Sequence, residues 1–158
     1  MSAASSVQVG LAGPVAWVRL EGRGTFQNSA GLKDFAGEMQ KRGFREFVVD
    51  LKDCELMDST FLGTLAGIAL GLGEGGKLTV VRANRRNRDI LSNLGLDRIF
   101  AVEDSAPDPF PTKMESPEPH AARRETIIEA HENLVAANPD NAIRFKDVID
   151  FLRHKEPS

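Results

Sequence analysis

The chain has 158 residues with 41% apolar and 27% charged content, which suits one globular domain with an appendage. Its formal net charge of −3 argues against a general nucleic-acid binder, because such a protein needs a basic face to neutralise phosphates. A single cysteine, Cys54, excludes an internal disulfide framework and favours a reduced compartment.

We expect a cytoplasmic protein that does not insert into membranes. The N-terminus has neither the basic region nor the apolar core of a secretory signal. The longest near-apolar run, residues 61–73, falls short of the roughly 20 residues that span a bilayer. This run is typical of a buried helix.

The first part of the chain predicts a β-hairpin, a helix and a central strand. Apolar residues alternate on both sides of a turn at 12–14, and the helix that follows is capped by Asn28 or Ser29. The run 47–51 is apolar and β-branched, as expected for a strand buried on both faces. A loop leads from this strand to Asp58.

The elements after this loop alternate between helices and strands. Residues 58–60 begin a helix that runs to about Leu72, and residues 78–81 form the next strand. Asn84 caps a third helix, and residues 99–102 add a last short strand. The order β-β-α-β-α-β-α-β predicts an α/β fold in which helices flank a mixed β-sheet.

Composition divides the chain into three regions. Residues 1–102 form the α/β domain, and residues 103–119 form an extended linker that holds five of the eight prolines. Residues 120–158 predict a C-terminal helical hairpin whose apolar faces comprise Ile127, His131, Leu134, Phe145, Val148, Ile149 and Leu152. Neither helix is stable alone, so the pair must pack on the domain, on a sister subunit or on a partner.

Residues 50–63 carry a family resemblance. A buried strand ends in Asp50, a short loop follows, and Met57-Asp58-Ser59-Thr60 stands at a helix start. This pattern resembles the signature of STAS domains, specifically the bacterial anti-sigma factor antagonists, and the resemblance covers about residues 7–102. It implies a STAS-like fold and a protein-interaction function in transcription signalling.

The resemblance also implies a site of control. In that family the serine after the aspartate is phosphorylated by a serine kinase that is itself the anti-sigma factor, and phosphate breaks the complex. The corresponding residue is Ser59, so the resemblance predicts a phosphoprotein; Thr60 is a second, less favoured acceptor. A cognate phosphatase is a further implied partner, and a homo-oligomer is compatible with the pattern. We expect no cofactor and no metal.

Elementary chemistry allows such a switch at Ser59. A hydroxyl on the first helical turn is expected to be exposed, and phosphate would add about −1.5 to −2 charges there. A simpler interpretation is that Asp58, Ser59 and Thr60 are a helix-capping cluster, and the two interpretations are compatible.

Two residues depart from the family pattern. The chain has Gln27 where the family usually has Asp, and Phe61 where it usually has Gly. Both favour the alternative function, a constitutive STAS scaffold or transport-system subunit without a phosphorylation cycle. Phe61 is either a core residue or a partner contact.

A partner-binding surface is predicted around Ser59. An arginine cluster follows the strand at 78–81, and parallel strands would bring it to the same sheet edge as Ser59, where it could bind phosphate or an acidic partner. Its alternative is a solvated helix start. The predicted partner-binding residues are Gln27, Asp58, Thr60, Phe61, Arg82, Arg85 and Arg86, with Arg88 in the same cluster.

Glycines at 63, 67 and 71 form a stripe on one face of the predicted helix after Asp58. Each costs the helix nearly 1 kcal/mol relative to alanine, so a close approach is expected there. The stripe either packs on the sheet or a neighbouring helix, or forms a groove for a partner.

An enzymatic function is not predicted, and no residue is assigned as catalytic. Ser59 would need a base, and the three histidines, His120, His131 and His154, all lie in the C-terminal region, far from Ser59 in sequence. We expect them to be solvated or on helix surfaces.

Overall fold

The computed structural model describes residues 5–107, 109–115 and 124–154. Within these ranges seven strands form one mixed sheet in the order β6-β5-β3-β2-β1-β7, with β4 paired to the end of β2. The strands are β1 (Ser6–Ala12), β2 (Val15–Gly24), β3 (Glu46–Asp50), β4 (Cys54–Met57), β5 (Lys77–Val81), β6 (Ala101–Glu103) and β7 (Met114–Glu115). The helices are α1 (Phe26–Lys41), α2 (Ser59–Leu72), α3 (Arg85–Asn93), α4 (Arg124–Ala137) and α5 (Asn141–His154).

The sheet combines an antiparallel hairpin with parallel crossovers. β1 and β2 pair antiparallel, and β3, β5 and β6 then add in parallel. α2 follows β4, which pairs in parallel with the end of β2, and α3 follows β5, so both helices begin at the same edge of the sheet. The predicted α/β fold, a mixed sheet flanked by helices, is confirmed.

The two faces of the sheet are covered differently. One face carries the main core, in which side chains of α1 and α2 pack on the central strands. The other face has a smaller apolar cluster around Trp17, Val48 and Val81. Ala106 and Met114 pack against that cluster, and the Phe110 ring lies 5.2 Å from the Trp17 ring. The described part of the proline-rich segment therefore covers the second face.

Three local predictions need correction. Thr25 caps α1, which therefore begins at Phe26; Asn28, predicted as a cap, instead accepts a hydrogen bond from the Thr25 N–H in a capping box. The loop after β3 contains β4, a strand too short to show an alternating pattern. The strand predicted at 99–102 begins at Ala101, because a short 3-10 helix occupies 96–98.

The C-terminal helices form the predicted hairpin, and α4 packs along α2. Leu134 of α4 is fully buried in the main core. At the turn between α4 and α5, the Asn141 side-chain amide donates hydrogen bonds to the carbonyls of Leu94 (3.0 Å) and Leu134 (2.8 Å). The division into domain, linker and hairpin remains a prediction. No helix in the described part of the chain is long and apolar enough to cross a membrane.

Candidate functional site

Asp58 joins the starts of α1 and α2. Its Oδ1 accepts a hydrogen bond from the Phe61 N–H at 2.8 Å, and its Oδ2 accepts one from the Phe26 N–H at 2.9 Å. Its own N–H donates to the Gly24 carbonyl at 2.7 Å. One carboxylate thus satisfies free N–H groups at two helix starts, which confirms the predicted cap and fixes the backbone around Ser59.

Ser59 is the first residue of α2, and its hydroxyl contacts a histidine from the C-terminal hairpin. The Ser59 Oγ lies 2.7 Å from Nε2 of His131 in α4. The other ring nitrogen of His131, Nδ1, lies 2.8 Å from the carbonyl oxygen of Ile127. Because a carbonyl only accepts, Nδ1 carries the proton and donates to Ile127. Nε2 of the neutral ring is then the acceptor, and Ser59 donates to it.

His131 lies at the candidate site, which the sequence analysis did not predict. It was expected on a solvated surface, but it is only 2% exposed, and the Phe145 ring packs edge-on against it at 5.2 Å. The Ser59 hydroxyl, expected to be exposed, is half-buried under α4. The helical spacing of His131 with Ile127 and Leu134 was the available signal. His120 lies outside the described residues, and His154 ends α5.

The glycine stripe of α2 is a surface for close helix packing. A Cβ added to Gly63 would overlap the backbone carbonyl of Ala130, and one added to Gly67 would overlap the Asn133 side-chain amide. Gly71 is different, because the nearest atom to its added Cβ is the Gln40 Oε1 at 3.9 Å. Packing on a neighbouring helix, one of the two alternatives for the stripe, is observed at Gly63 and Gly67, whereas Gly71 lines an open groove of about 310 Å³.

An open groove of about 470 Å³ borders Ser59 between α2, α4 and α5. Asp147 and Phe151 of α5 line it together with Ser59 and His131. A carboxylate of the hairpin, that of Asp147, and the Ser59 hydroxyl thus line the same groove.

Asp50, at the end of β3, is a buried structural anion. It is 0% exposed and accepts hydrogen bonds from Arg19 Nε (3.4 Å) and Arg82 Nε (3.1 Å), with a second bond from Arg82 Nη2. The hydrogen bond to Asp50 raises the pKa of Arg82. Arg82 also has a φ of 58°, a backbone conformation that non-glycine residues rarely adopt. This paired arrangement fixes Arg82 on Asp50.

Cys54 is a buried thiol behind the site. Burial raises its pKa to about 11, against the lowering effect of a hydrogen bond with Asn87. The thiolate is therefore rare at neutral pH, and Cys54 is expected to be chemically inert.

Comparison with known proteins identifies the fold family. The family model described as "Mlab, STAS domain" matches residues 7–103. The chain belongs to the STAS domain family. Its membership confirms the resemblance read from residues 50–63. A search of curated proteins found no match.

Solved structures resemble the STAS domain over about two thirds of the chain. An anti-sigma factor antagonist from Mycobacterium paratuberculosis superposes with a TM-score of 0.57 at 24% identity, over 66% of this chain and 92% of the other. The anti-sigma factor antagonist SpoIIAA in its unphosphorylated form superposes with a TM-score of 0.55 at 13% identity, over 65% and 90% of the two chains. At these identities the likeness establishes the fold.

The predicted partner-binding residues of the STAS domain differ in their exposure. Gln27 is exposed on the first turn of α1, beside the Phe26–Asp58 hydrogen bond. Thr60 is buried, and Phe61 is fully buried against Gly24, so the core alternative for Phe61 is the observed one. Neither side chain offers a surface to a partner in this state.

The arginines of the cluster also differ, because two of them form ion pairs. Arg85 and Arg86 are exposed at the start of α3, whereas Arg88 pairs with Asp104 and Arg82 pairs with Asp50. A free basic surface therefore centres on Arg85 and Arg86. Within the described ranges, no three side chains of His, Cys, Asp or Glu come together as metal ligands.

Proposed function

We propose that this STAS domain is a protein-interaction switch of the anti-sigma factor antagonist type. While Ser59 is unmodified, the domain binds an anti-sigma factor that is also a serine kinase, and a sigma factor is freed. Phosphate on Ser59 ends the complex, and a cognate phosphatase restores it. The observation that supports this most is the position of Ser59, directly after the Asp58 cap at the start of α2, in a fold shared with anti-sigma factor antagonists.

The free-energy change needed for such a switch is small. The start of α2 favours a negative charge by about 0.3–1 kcal/mol, so phosphate is compatible with the free domain. A hundredfold loss of affinity requires only about 2.8 kcal/mol of repulsion or desolvation in the complex. A phosphate of about −1.5 to −2 charges under a bound partner supplies a cost of that order.

We further propose that the domain binds and does not catalyse. Ser59 and His131 have the hydrogen bond that a nucleophile and its base would need. His131, however, is 2% exposed, and the neighbouring Thr60 is 5% exposed. The Ser59–His131 contact lies between α2 and α4 and joins the two helices. We therefore assign the pair to helix docking.

Phosphopeptide mass spectrometry on the chain isolated from its own host tests the site. Trypsin releases residues 53–77 as one peptide that contains Ser59, Thr60 and Thr64. We expect phosphate on Ser59, with synthetic peptides phosphorylated at Ser59 or Thr60 as standards for its position. Phosphate on Thr60 alone would move the switch to the second acceptor.

Binding to the host's purified anti-sigma kinases tests the consequence. We expect Ser59→Glu to bind about a hundredfold more weakly than Ser59→Ala, because the carboxylate carries part of the charge of phosphate. If both variants bind equally and no growth or stress condition yields phosphate, the constitutive scaffold or transport-system subunit replaces the switch.

A further inference from the structure

The C-terminal hairpin lies on the surface that a kinase or partner of Ser59 must reach. His131 holds the Ser59 hydroxyl, and the next turns of α2 meet Ala130 and Asn133 through Gly63 and Gly67. We propose that α4 and α5 are an intramolecular cover that controls access of other macromolecules to Ser59. That a kinase or partner acts on the uncovered Ser59 rests on the proposed function, whereas the cover itself does not.

The contacts of the hairpin suit a cover that opens while the sheet stays folded. In α4 the buried residues are Ala130, His131 and Leu134, and two glycines of α2 meet this helix, Gly63 at the Ala130 backbone and Gly67 at the Asn133 side-chain amide. α5 leaves large apolar side chains exposed, with Ile143 89% and Phe151 60% exposed. An element with few buried apolar groups is among the first to open locally.

Phosphate on Ser59 and the docked hairpin exclude each other. A phosphoryl group on the Ser59 oxygen would replace the proton that this hydroxyl donates to His131 Nε2 at 2.7 Å, and it would bring bulk and charge to the contact between α2 and α4. Asp147 of α5 lines the same groove and would repel its charge. A docked hairpin therefore protects Ser59 from a kinase, and phosphate on Ser59 favours the open hairpin. By thermodynamic linkage, the two effects have the same coupling free energy.

The glycine stripe provides a substitution that opens the cover from the α2 side. In the full chain, Gly63→Ala introduces a methyl group where the Ala130 carbonyl lies, so α4 must move away. Gly71→Ala is the matched control, because it lies in the same helix and its methyl group meets ordinary space. Both changes replace glycine by alanine within α2, and they differ chiefly in what the added methyl group meets.

Access to position 59 can be measured with a thiol probe. Ser59→Cys is combined with each glycine variant, and the rate of reaction with a polyethylene-glycol maleimide is followed. Cys54, which is buried and has a raised pKa, stays unreactive in the folded chain. Intact Trp17 fluorescence confirms that the domain is folded in every variant.

We expect Gly63→Ala to raise the labelling rate of the thiol at position 59 roughly tenfold or more over the parent, and Gly71→Ala to leave it unchanged. Leu134→Ala, which loosens α4 from the core, serves as a second opening variant and should raise the rate as well. Equal rates in the parent, Gly63→Ala and Gly71→Ala would overturn the cover.

A phosphorylation measurement separates the cover from the proposed function. Chains with Ser59 intact and either Gly63→Ala or Gly71→Ala are expressed in the host, and phosphate on Ser59 is quantified. More phosphate in Gly63→Ala supports both proposals. Fast labelling of the opened chain without phosphate in either variant refutes the kinase switch and keeps the cover. Equal labelling with phosphate present keeps the switch and refutes the cover.

Discussion

At the scale of single residues, Asp50 is a charged group with a structural task. It is fully buried between Arg19 and Arg82, whose side chains are 29% and 27% exposed. Its ion pairs join the end of β3 to Arg19 of β2 and to Arg82, the residue after β5, at the edge where α2 and α3 begin. Removing the carboxylate would leave two guanidinium groups without their acceptor beside the core.

We expect Asp50→Ala to lower the free energy of unfolding by about 2–4 kcal/mol, measured by urea denaturation. Glu55→Ala is the control, because Glu55 is 61% exposed and its ion pair with Arg23 is long, at 3.9 Å. That change should cost under about 0.5 kcal/mol. Similar losses for both variants would contradict a structural role of Asp50.

The residues of the candidate site differ in how well the sequence predicts them. Asp58 and Ser59 are predictable, because capping is local and uses side chains at a fixed offset from the helix start. His131 is 72 positions from Ser59, and the residue pattern along α4 does not indicate which helix α4 packs on. Its position opposite Ser59 follows from tertiary packing alone.

At the scale of elements, the proline-rich segment has a packing role. Phe110 lies on Trp17, and the Arg82 guanidinium lies 5.8 Å from the centre of the Phe110 ring. Met114 and Glu115 form β7 and pair with β1 at the edge of the sheet. The segment thus shields the face of the sheet that carries no helix among the described residues.

Phe110→Ala should therefore expose Trp17, the one tryptophan of the chain. We expect stronger acrylamide quenching, a longer emission wavelength and a stability loss of about 0.5–1.5 kcal/mol. Phe26→Ala is matched in exposure, at 42% against 43%, and should leave Trp17 emission unchanged. Identical quenching in both variants would show that the segment does not shield Trp17.

The composition of the segment at 103–119 predicted an extended linker, and its prolines do prevent regular structure over most of the described part. Composition alone contains no information on whether an extended segment packs on a sheet. The sequence analysis also missed the four-residue strand β4. Cys54 and Met57 are buried because β4 pairs with the bulged end of β2, and a local pattern does not contain that pairing. Long periodic elements such as α2 were predictable because their patterns extend over several turns.

At the scale of the whole molecule, the chain combines a family fold with a helical hairpin that lies outside the family match. The family match ends at residue 103, while α4 and α5 begin at Arg124. The sequence predicts both parts but not their contact. Together, the two proposals give Ser59 two levels of control, phosphorylation and cover by the hairpin.

The central claim is that negative charge on Ser59 and the docked hairpin exclude each other. Hydrogen–deuterium exchange of α4 in Ser59→Glu and Ser59→Ala tests it most directly, because both variants lose the hydroxyl and one gains a charge. We predict exchange in residues 124–137 at least about tenfold faster in Ser59→Glu than in Ser59→Ala, which corresponds to about 1.4 kcal/mol. Equal exchange in the two variants, or slower exchange in Ser59→Glu, would contradict the claim.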